Sequence, residues 1–112
     1  MHWNQLASIG QLSEIDEKSK RGPVAIFKHS TRCSVSLTVL DRLERNLPSD
    51  TKTENYFLDL FAFRPVSNAV AEHYGIEHES PQLLIIRDGK AVHVASHFEI
   101  SPKVLLEESK PA

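Results

Sequence analysis

The sequence predicts an α/β domain in which a central mixed β-sheet is flanked by helices on both faces. Three observations predict it: short apolar runs alternate with amphipathic segments, Asp88-Gly89 separates two further apolar runs, and the length of 112 residues is that of one ordinary domain. Strands separated by helices pair in parallel through right-handed crossovers, whereas a hairpin is antiparallel, so the sheet must be mixed. We expect residues 1–112 to form a single domain.

The first half of the chain is predicted to contain two strands and two helices. They cover residues 3–6, as a candidate edge strand, then 9–20, 24–27 and 33–47. Ser8 followed by Gln11 resembles a capping box at the start of the first helix. The apolar run 24–27 is short enough for a buried strand, and the polar residues 28–32 are predicted to form a loop. From Cys33 the apolar residues recur with the spacing of an amphipathic helix, which Pro48 ends.

The second half is predicted to contain a strand, a helix, a hairpin and a last helix. They cover residues 56–61, 65–74 and 83–86 with 91–94, and the last helix begins at Pro102 after Ser101 as its cap. Pro65 suits the first turn of a helix, where its missing N–H is no loss, and Gly75 suits the left-handed end. Asp88-Gly89 is typical of a two-residue hairpin turn because both positions accept a positive φ.

Composition argues against several classes of partner. A formal net charge of -2 leaves no excess of basic residues to neutralise a phosphate backbone, which argues against nucleic-acid binding. No apolar run approaches the roughly 20 residues of a transmembrane helix, and the N-terminus lacks a signal-peptide pattern, so we expect no membrane partner and a cytoplasmic protein. Thiols are kept reduced there, and a single cysteine closes no internal disulfide.

Cys33, the one cysteine of the chain, is the candidate nucleophile. It follows a strand and a polar loop and stands at the predicted first turn of a helix. The partial positive charge and unpaired N–H groups of a helix N-terminus favour thiolate over thiol and lower the cysteine pKa. Arg32 and Lys28 add cations that favour a thiolate or an anionic thiol substrate. The alternative is an inert cysteine buried in the fold.

Hydroxyl groups surround this cysteine in the sequence. Ser30 and Thr31 offer N-cap oxygens, and Ser34 and Ser36 offer hydroxyls after it. Because Ser36 stands where a dithiol motif has its second cysteine, the pattern predicts a monothiol site that needs an external thiol to reset it.

Histidines and carboxylates elsewhere are weaker candidates. His73 with His78, and His93 with His97 on one face of a strand, match no zinc signature, so we expect no metal site. His97 follows the last strand and is a candidate for substrate binding or proton donation, with a capping or surface role as the alternative. His29 and Asp59 are similar candidates for proton transfer, with surface and strand-end positions as alternatives.

Three segments together resemble one family of redox proteins. They are Trp3, residues 27–36 (FKHSTRCSVS) and residues 96–101 (SHFEIS), which resemble the monothiol bacilliredoxins, a YtxJ-like family in the thioredoxin-like superfamily. The resemblance implies a thioredoxin-like fold and removal of bacillithiol from mixed disulfides on client proteins. Bacillithiol is then a co-substrate, no other cofactor is needed, and an external thiol reductant completes the cycle. Many members carry proline after the cysteine, where this chain has Ser34.

The same resemblance extends to Pro81, which opens a strand that leads into the hairpin. An X-Pro bond adopts cis readily, and thioredoxin-like proteins have a cis-proline here, next to the cysteine. Such a bond would hold the backbone of Ser80 open to pair with an extended substrate. The catalytic residue is therefore predicted to be Cys33, and the predicted substrate-binding residues are Thr31, Arg32, Ser34, Ser80, Pro81 and His97.

Two other functions remain open from the sequence. One is a non-catalytic redox sensor or adaptor, in which Cys33 is trapped as a mixed disulfide. The other is an iron-sulfur carrier, because monothiol glutaredoxins hold a cluster between two chains with one cysteine each. The low-molecular-weight thiol also stays open, since a helix N-terminus and Arg32 suit the carboxylates of bacillithiol and of glutathione alike.

Overall fold

A mixed β-sheet forms the centre of the computed structural model, which describes residues 3–30, 34–46, 53–101 and 103. The elements are β1 (Asn4–Gln5), α1 (Gln11–Ser19), β2 (Val24–His29), α2 (Ser34–Asn46), β3 (Glu54–Asp59), α3 (Arg64–Tyr74), β4 (Gln82–Arg87), β5 (Lys90–Ser96) and a 3₁₀ helix (His97–Glu99). In this part of the chain the strand order is β1-β3-β2-β4-β5. β1, β3 and β2 are parallel, while β4 is antiparallel to β2 and β5.

Helices cover both faces of the sheet. One face packs against α1 and α3 through Leu12, Ile15, Val66 and Val70. The other packs against α2 through Val39 and Leu43. Because successive side chains of a strand point to opposite faces, the wholly buried β2 contributes Ile26 to the first core and Phe27 to the second. The predicted mixed sheet with helices on both faces is therefore confirmed, including the short edge strand β1.

The hairpin and the end of α3 follow the predicted turn chemistry. Asp88 and Gly89 have φ values of 51° and 72°, as a type I′ turn requires. The amide of Gly89 also donates to Oγ of Ser19 at 2.9 Å, which ties the turn to α1. α3 ends at Gly75 with φ 64°, and the amide of Ile76 donates to the carbonyl of Ala71 at 3.0 Å.

Two predicted boundaries shift for local reasons. α1 begins at Gln11 and not at residue 9, because the amide of Gln11 donates to the carbonyl of Ser8 in a preceding turn. Its side-chain oxygen accepts from the amide of Ser8 at 2.9 Å, which forms one half of the predicted capping box. β3 covers residues 54–59 and not 56–61, because Asp59 starts a turn after it.

The predicted loop over residues 28–32 is wrong at its start. Lys28 and His29 belong to β2, where they pair with Leu58 and Asp59 of β3, and both side chains are buried. Polar side chains enter a central strand only when they find hydrogen-bond partners, and these two find them on opposite faces.

Some predictions fall outside the described residues. Apart from Lys103, the last helix after Ser101 lies there, as do residues 31–33. Within the described part of the chain, no helix is long and apolar enough to cross a membrane.

Candidate functional site

Three segments meet at the end of the sheet where β2 stops. They are His29 and Ser30 at the end of β2, the start of α2 at Ser34, and the segment that enters β4. The register of β2 with β4 pairs Lys28 with Gln82, so Pro81 lies beside the end of β2. The predicted residues Thr31, Arg32 and Cys33 lie outside the described residues and join β2 to α2 in the sequence.

Ser80, Pro81 and His97, three of the predicted substrate-binding residues, lie together. The Ser80–Pro81 peptide bond is cis, and Pro81 is buried. The carbonyl of Pro81 accepts a hydrogen bond from the amide of His97 at 2.9 Å. Oγ of Ser80 is buried and has no hydrogen-bond partner within the described residues.

The side chain of His97 faces water and a carboxylate. Its Nε2 lies 3.4 Å from Oε2 of Glu79, and both side chains are about half exposed. His97 lies in the 3₁₀ helix with φ 54°, a left-handed conformation. The prediction that His93 and His97 share one face of a strand is therefore wrong, because the chain turns after Ser96.

Ser34 begins α2 and is exposed. Its carbonyl accepts a hydrogen bond from Oγ1 of Thr38 at 2.9 Å. The hydrogen bonds of the described residues link Pro81 to His97 but do not link Ser34 to either of them.

A buried polar network joins the end of β2 to the first turn of α2. The amide of Ser30 donates to Oγ of Ser36 at 3.0 Å, and the same oxygen lies 2.7 Å from Nδ1 of His29. All three residues are buried. Burial lowers the pKa of His29 below its ordinary value, although the charges of Asp59 and Glu44 act in the other direction. The imidazole is therefore neutral at pH 7.

An aromatic cluster holds the ring of His29. The ring lies 5.2 Å from that of Phe57 and 5.9 Å from that of Phe27, between centroids. Trp3 contacts the same two phenylalanines at 5.8 and 5.9 Å. These ring contacts hold the imidazole of His29 in one plane. They also show that Trp3 packs on the phenylalanines around His29, at the end of the strand that leads to α2.

Lys28 points away from this network, to the face covered by α3. Its Nζ lies 3.2 Å from the carbonyl oxygen of Ser67 and 3.2 Å from Nδ1 of His78. Burial lowers the pKa of Lys28 to about 8. The interpretation of Lys28 as a cation for the thiolate is not supported, because strand alternation directs it to the face opposite α2.

The carboxylate of Asp59 accepts hydrogen bonds from the backbone of the turn that follows β3. Its Oδ1 accepts hydrogen bonds from the amides of Phe61 at 3.1 Å and Ala62 at 3.4 Å. This Asx-type turn favours the strand-end interpretation over a role in proton transfer.

Other polar clusters lie away from this end of the sheet. A cavity lined by Lys18, Arg21, Gly22, Pro23 and Glu54 lies where β2 begins. Among the described residues, no group of three His, Cys, Asp or Glu side chains is arranged to hold a metal ion. No sequence pattern indicated His78 and Glu79 as partners, because only the folded chain brings them to Lys28 and His97.

Comparisons with known proteins agree with this architecture. The family model of Monothiol bacilliredoxin BrxC matches residues 4–105. A solved structure described as a proposed oxidoreductase with a thioredoxin fold is 27% identical, with a TM-score of 0.81, and the match covers 96% of this chain and 94% of that one. The thioredoxin of Malassezia sympodialis is 16% identical with a TM-score of 0.73, over 98% of this chain and 92% of that one.

A thioredoxin from Fasciola hepatica gives the same result. It is 17% identical with a TM-score of 0.73, and the match covers 96% of this chain and 99% of that one. Structural likeness at such low identity reports the backbone alone. The predicted thioredoxin-like fold is thereby confirmed.

Proposed function

Because this chain belongs to the monothiol bacilliredoxin family, we propose that it removes bacillithiol from mixed disulfides on client proteins, with Cys33 as the nucleophile. The family and the fold make it a thiol oxidoreductase of the thioredoxin type. The observation that carries the finer proposal is the sequence position of its one cysteine, directly before α2 in the segment that follows β2, together with the Ser80–Pro81 bond and His97 near the end of β2.

The proposed reaction is a pair of thiol-disulfide exchanges. The Cys33 thiolate attacks the bacillithiol sulfur of the mixed disulfide, the client sulfur leaves as a thiolate, and Cys33 carries bacillithiol as a new disulfide. A second low-molecular-weight thiol then attacks that disulfide and releases Cys33. The two small thiols leave as a disulfide, so an external reductant must regenerate them. The chain has no second cysteine that would make this step internal.

Thiolate formation is supported by the position of Cys33 before α2. The N-terminal N–H groups of a helix and its dipole stabilise a negative charge placed there. Arg32, the neighbour of Cys33 in the sequence, adds a cation for a carboxylate of bacillithiol. Thr31 and Ser34 complete the proposed substrate contacts on this side.

Ser80, Pro81 and His97 are the proposed contacts on the other side. The backbone of Ser80, held by the cis bond to Pro81, is suited to an extended client segment that adds as a strand. His97, whose amide donates to the carbonyl of Pro81, presents a half-exposed imidazole as the proposed contact for the bound thiol. Phe98 follows it and is 59% exposed, which supplies an apolar contact for a protein client.

The test is the intact mass of the protein after incubation with a bacillithiolated client and, separately, with the same client carrying glutathione. We expect transfer of bacillithiol onto the protein with release of the client thiol, and turnover once free bacillithiol and a reductant are added. The Cys33→Ser variant is the matched control and should acquire no adduct.

Three other outcomes overturn the proposal in different ways. Adduct formation without turnover favours the sensor or adaptor. Transfer of glutathione but not of bacillithiol would mean that glutathione is the small thiol that the protein removes. Exchange that persists in Cys33→Ser removes the cysteine from the mechanism.

A further inference from the structure

The two ends of the segment that carries Cys33 are fastened to each other. Ser30 precedes residues 31–33, and Ser36 follows them in the first turn of α2. The hydrogen bond from the Ser30 amide to Oγ of Ser36 therefore closes a short ring of chain that contains the cysteine. Since both residues are buried, the bond is shielded from competition by water.

His29 contacts the hydroxyl that accepts this hydrogen bond. Its Nδ1 lies 2.7 Å from Oγ of Ser36, so one hydroxyl serves both the imidazole and the Ser30 amide. The backbone of His29 is also fixed, because its carbonyl accepts a hydrogen bond from the amide of Leu60 at 3.0 Å. With Phe27 and Phe57 packed on the ring, the imidazole has little freedom to leave Ser36.

A purely structural role does not require this arrangement. A serine inside a helix is at best neutral for helix stability, and burying a hydroxyl and an imidazole carries a desolvation penalty that apolar residues avoid. The surroundings are apolar, since Phe27 and Val39 of the same core lie on β2 and α2. Three polar groups in this core therefore point to a requirement for directional bonds at the start of α2.

We propose that His29 and Ser36 are positioning residues that hold the start of α2 against the end of β2 and thereby increase the thiolate fraction of Cys33. The inference rests on the proposed function. A helix N-terminus stabilises an adjacent anion only while its N–H groups keep their orientation toward it. The Ser30–Ser36 bond restricts that orientation, and His29 keeps the Ser36 hydroxyl in place.

The charged groups around His29 do not replace this effect. Among the described residues, Asp59 of β3 and Glu44 of α2 are the charges that act on the ring. Because the imidazole is neutral at pH 7, it acts on the thiolate through hydrogen bonding and geometry and not as a neighbouring cation.

The test is the rate at which iodoacetamide alkylates Cys33, measured from about pH 4 to about pH 10, because the thiolate is the reacting form. Ser36→Ala removes the shared hydroxyl. His29→Phe keeps an aromatic ring but removes the nitrogen, whereas His29→Asn loses the ring and keeps a hydrogen-bonding atom near the position of Nδ1. Thr38→Ala is the matched control, since it removes an exposed hydroxyl from the same helix.

We expect Ser36→Ala and His29→Phe to slow alkylation about 5- to 20-fold near pH 6, as a rise of about one unit in the thiol pKa predicts. The limiting rate at high pH should remain within about twofold of the wild-type rate. His29→Asn should retain most of the wild-type profile, and Thr38→Ala all of it. Circular dichroism of each variant checks that the fold is kept, and if Ser36→Ala or His29→Phe fails this check, the other of the two carries the test. Ser36→Thr, which keeps the hydroxyl, should retain the profile.

Unchanged pH profiles in Ser36→Ala and His29→Phe overturn the inference. A changed limiting rate with an unchanged midpoint also overturns it, since that result reports access to the sulfur. Equal losses in His29→Phe and His29→Asn overturn the role of the hydrogen bond. Because alkylation needs no disulfide substrate, these results are independent of whether bacillithiol transfer occurs.

Discussion

Nζ of Lys28 lies 3.2 Å from Nδ1 of His78, inside the protein and on the face of the sheet that α3 covers. Its second acceptor is the carbonyl of Ser67, and within the described residues no carboxylate forms an ion pair with it. A buried ammonium without an opposite charge loses part of its hydration free energy, which is why burial lowers the pKa of Lys28 to about 8.

Lys28 makes the free energy of unfolding depend on pH above neutrality. Its pKa is about 8 in the folded chain and about 10.5 when unfolded, so between these values the unfolded state binds more protons. The free energy of unfolding therefore rises with pH across this window, by up to about 3 kcal/mol for this group. Below about pH 8 the unfavourable contribution is fully present.

Replacing Lys28 by methionine removes this rise. We expect urea denaturation at several values between about pH 7 and about pH 10.5 to give a flatter stability profile for Lys28→Met than for the wild type. Lys20→Met is the control, because Lys20 is exposed and its replacement should leave the slope unchanged. Parallel slopes in the wild type and Lys28→Met would contradict a lowered pKa at this lysine.

Lys28 and His29 also show why part of the site was hidden in the sequence. Their polarity predicts a loop, and only the partners Ser67, His78 and Ser36 make them suitable for a buried strand. Those partners lie seven to fifty residues away in the chain, so no local pattern reports them. Asp59 is a similar case, because its turn can be recognised only from the backbone amides that donate hydrogen bonds to its side chain.

Features governed by local chemistry were predictable. The Asp88-Gly89 turn and the Gly75 helix end depend on the backbone freedom of one or two residues, which the sequence states directly. The Ser80–Pro81 segment was predictable for a different reason, since a family resemblance supplied it.

Gly75 tests a feature that is governed by the backbone freedom of a single residue. Its φ of 64° is left-handed, and an added Cβ meets no atom within 4 Å, so the backbone conformation alone opposes a side chain. We expect Gly75→Ala to reduce the free energy of unfolding by about 1 kcal/mol. Gly22→Ala is the matched control: it has the same free space without a left-handed φ, and it should be neutral or slightly stabilising. Equal effects at both positions would exclude backbone conformation as the cause.

Asp16 links α1 to the end of α3. Its Oδ1 accepts the hydroxyl of Tyr74 at 2.8 Å, and its Oδ2 lies 2.6 Å from Nε2 of His73. Burial, together with the bond to Asp16, raises the pKa of Tyr74, so the phenol stays protonated and donates at all ordinary pH values. The carboxylate is therefore held by two partners from another helix.

Replacing Asp16 by asparagine should weaken that link. We expect Asp16→Asn to lower the free energy of unfolding by about 1–2 kcal/mol in urea denaturation, because both bonds lose a charged acceptor. The exposed pair of Asp41 and Arg45 on α2 gives the comparison, and Asp41→Asn should change stability by less than about 0.5 kcal/mol. If the loss in Asp16→Asn is the same with and without Tyr74→Phe, the two residues are not coupled.

Phe98 tests how a protein client is recognised. It follows His97, it is 59% exposed, and it is absent from both apolar cores, so its removal should not change stability. We expect Phe98→Ala to lower kcat/KM about tenfold for a bacillithiolated protein and to leave kcat/KM unchanged for a small mixed disulfide, because only a protein reaches across the 3₁₀ helix.

Val92→Ala is the matched control for Phe98→Ala. Val92 is similarly exposed, at 53%, but it lies on β5, which pairs with β4. Exchange with both substrates should be unaffected in this variant. An equal loss for both substrates in Phe98→Ala would mean that Phe98 shapes the reacting centre, whereas no loss for either would exclude this surface from client binding. A loss confined to the protein client assigns the contact to the client chain and leaves the small thiol to the residues around Cys33.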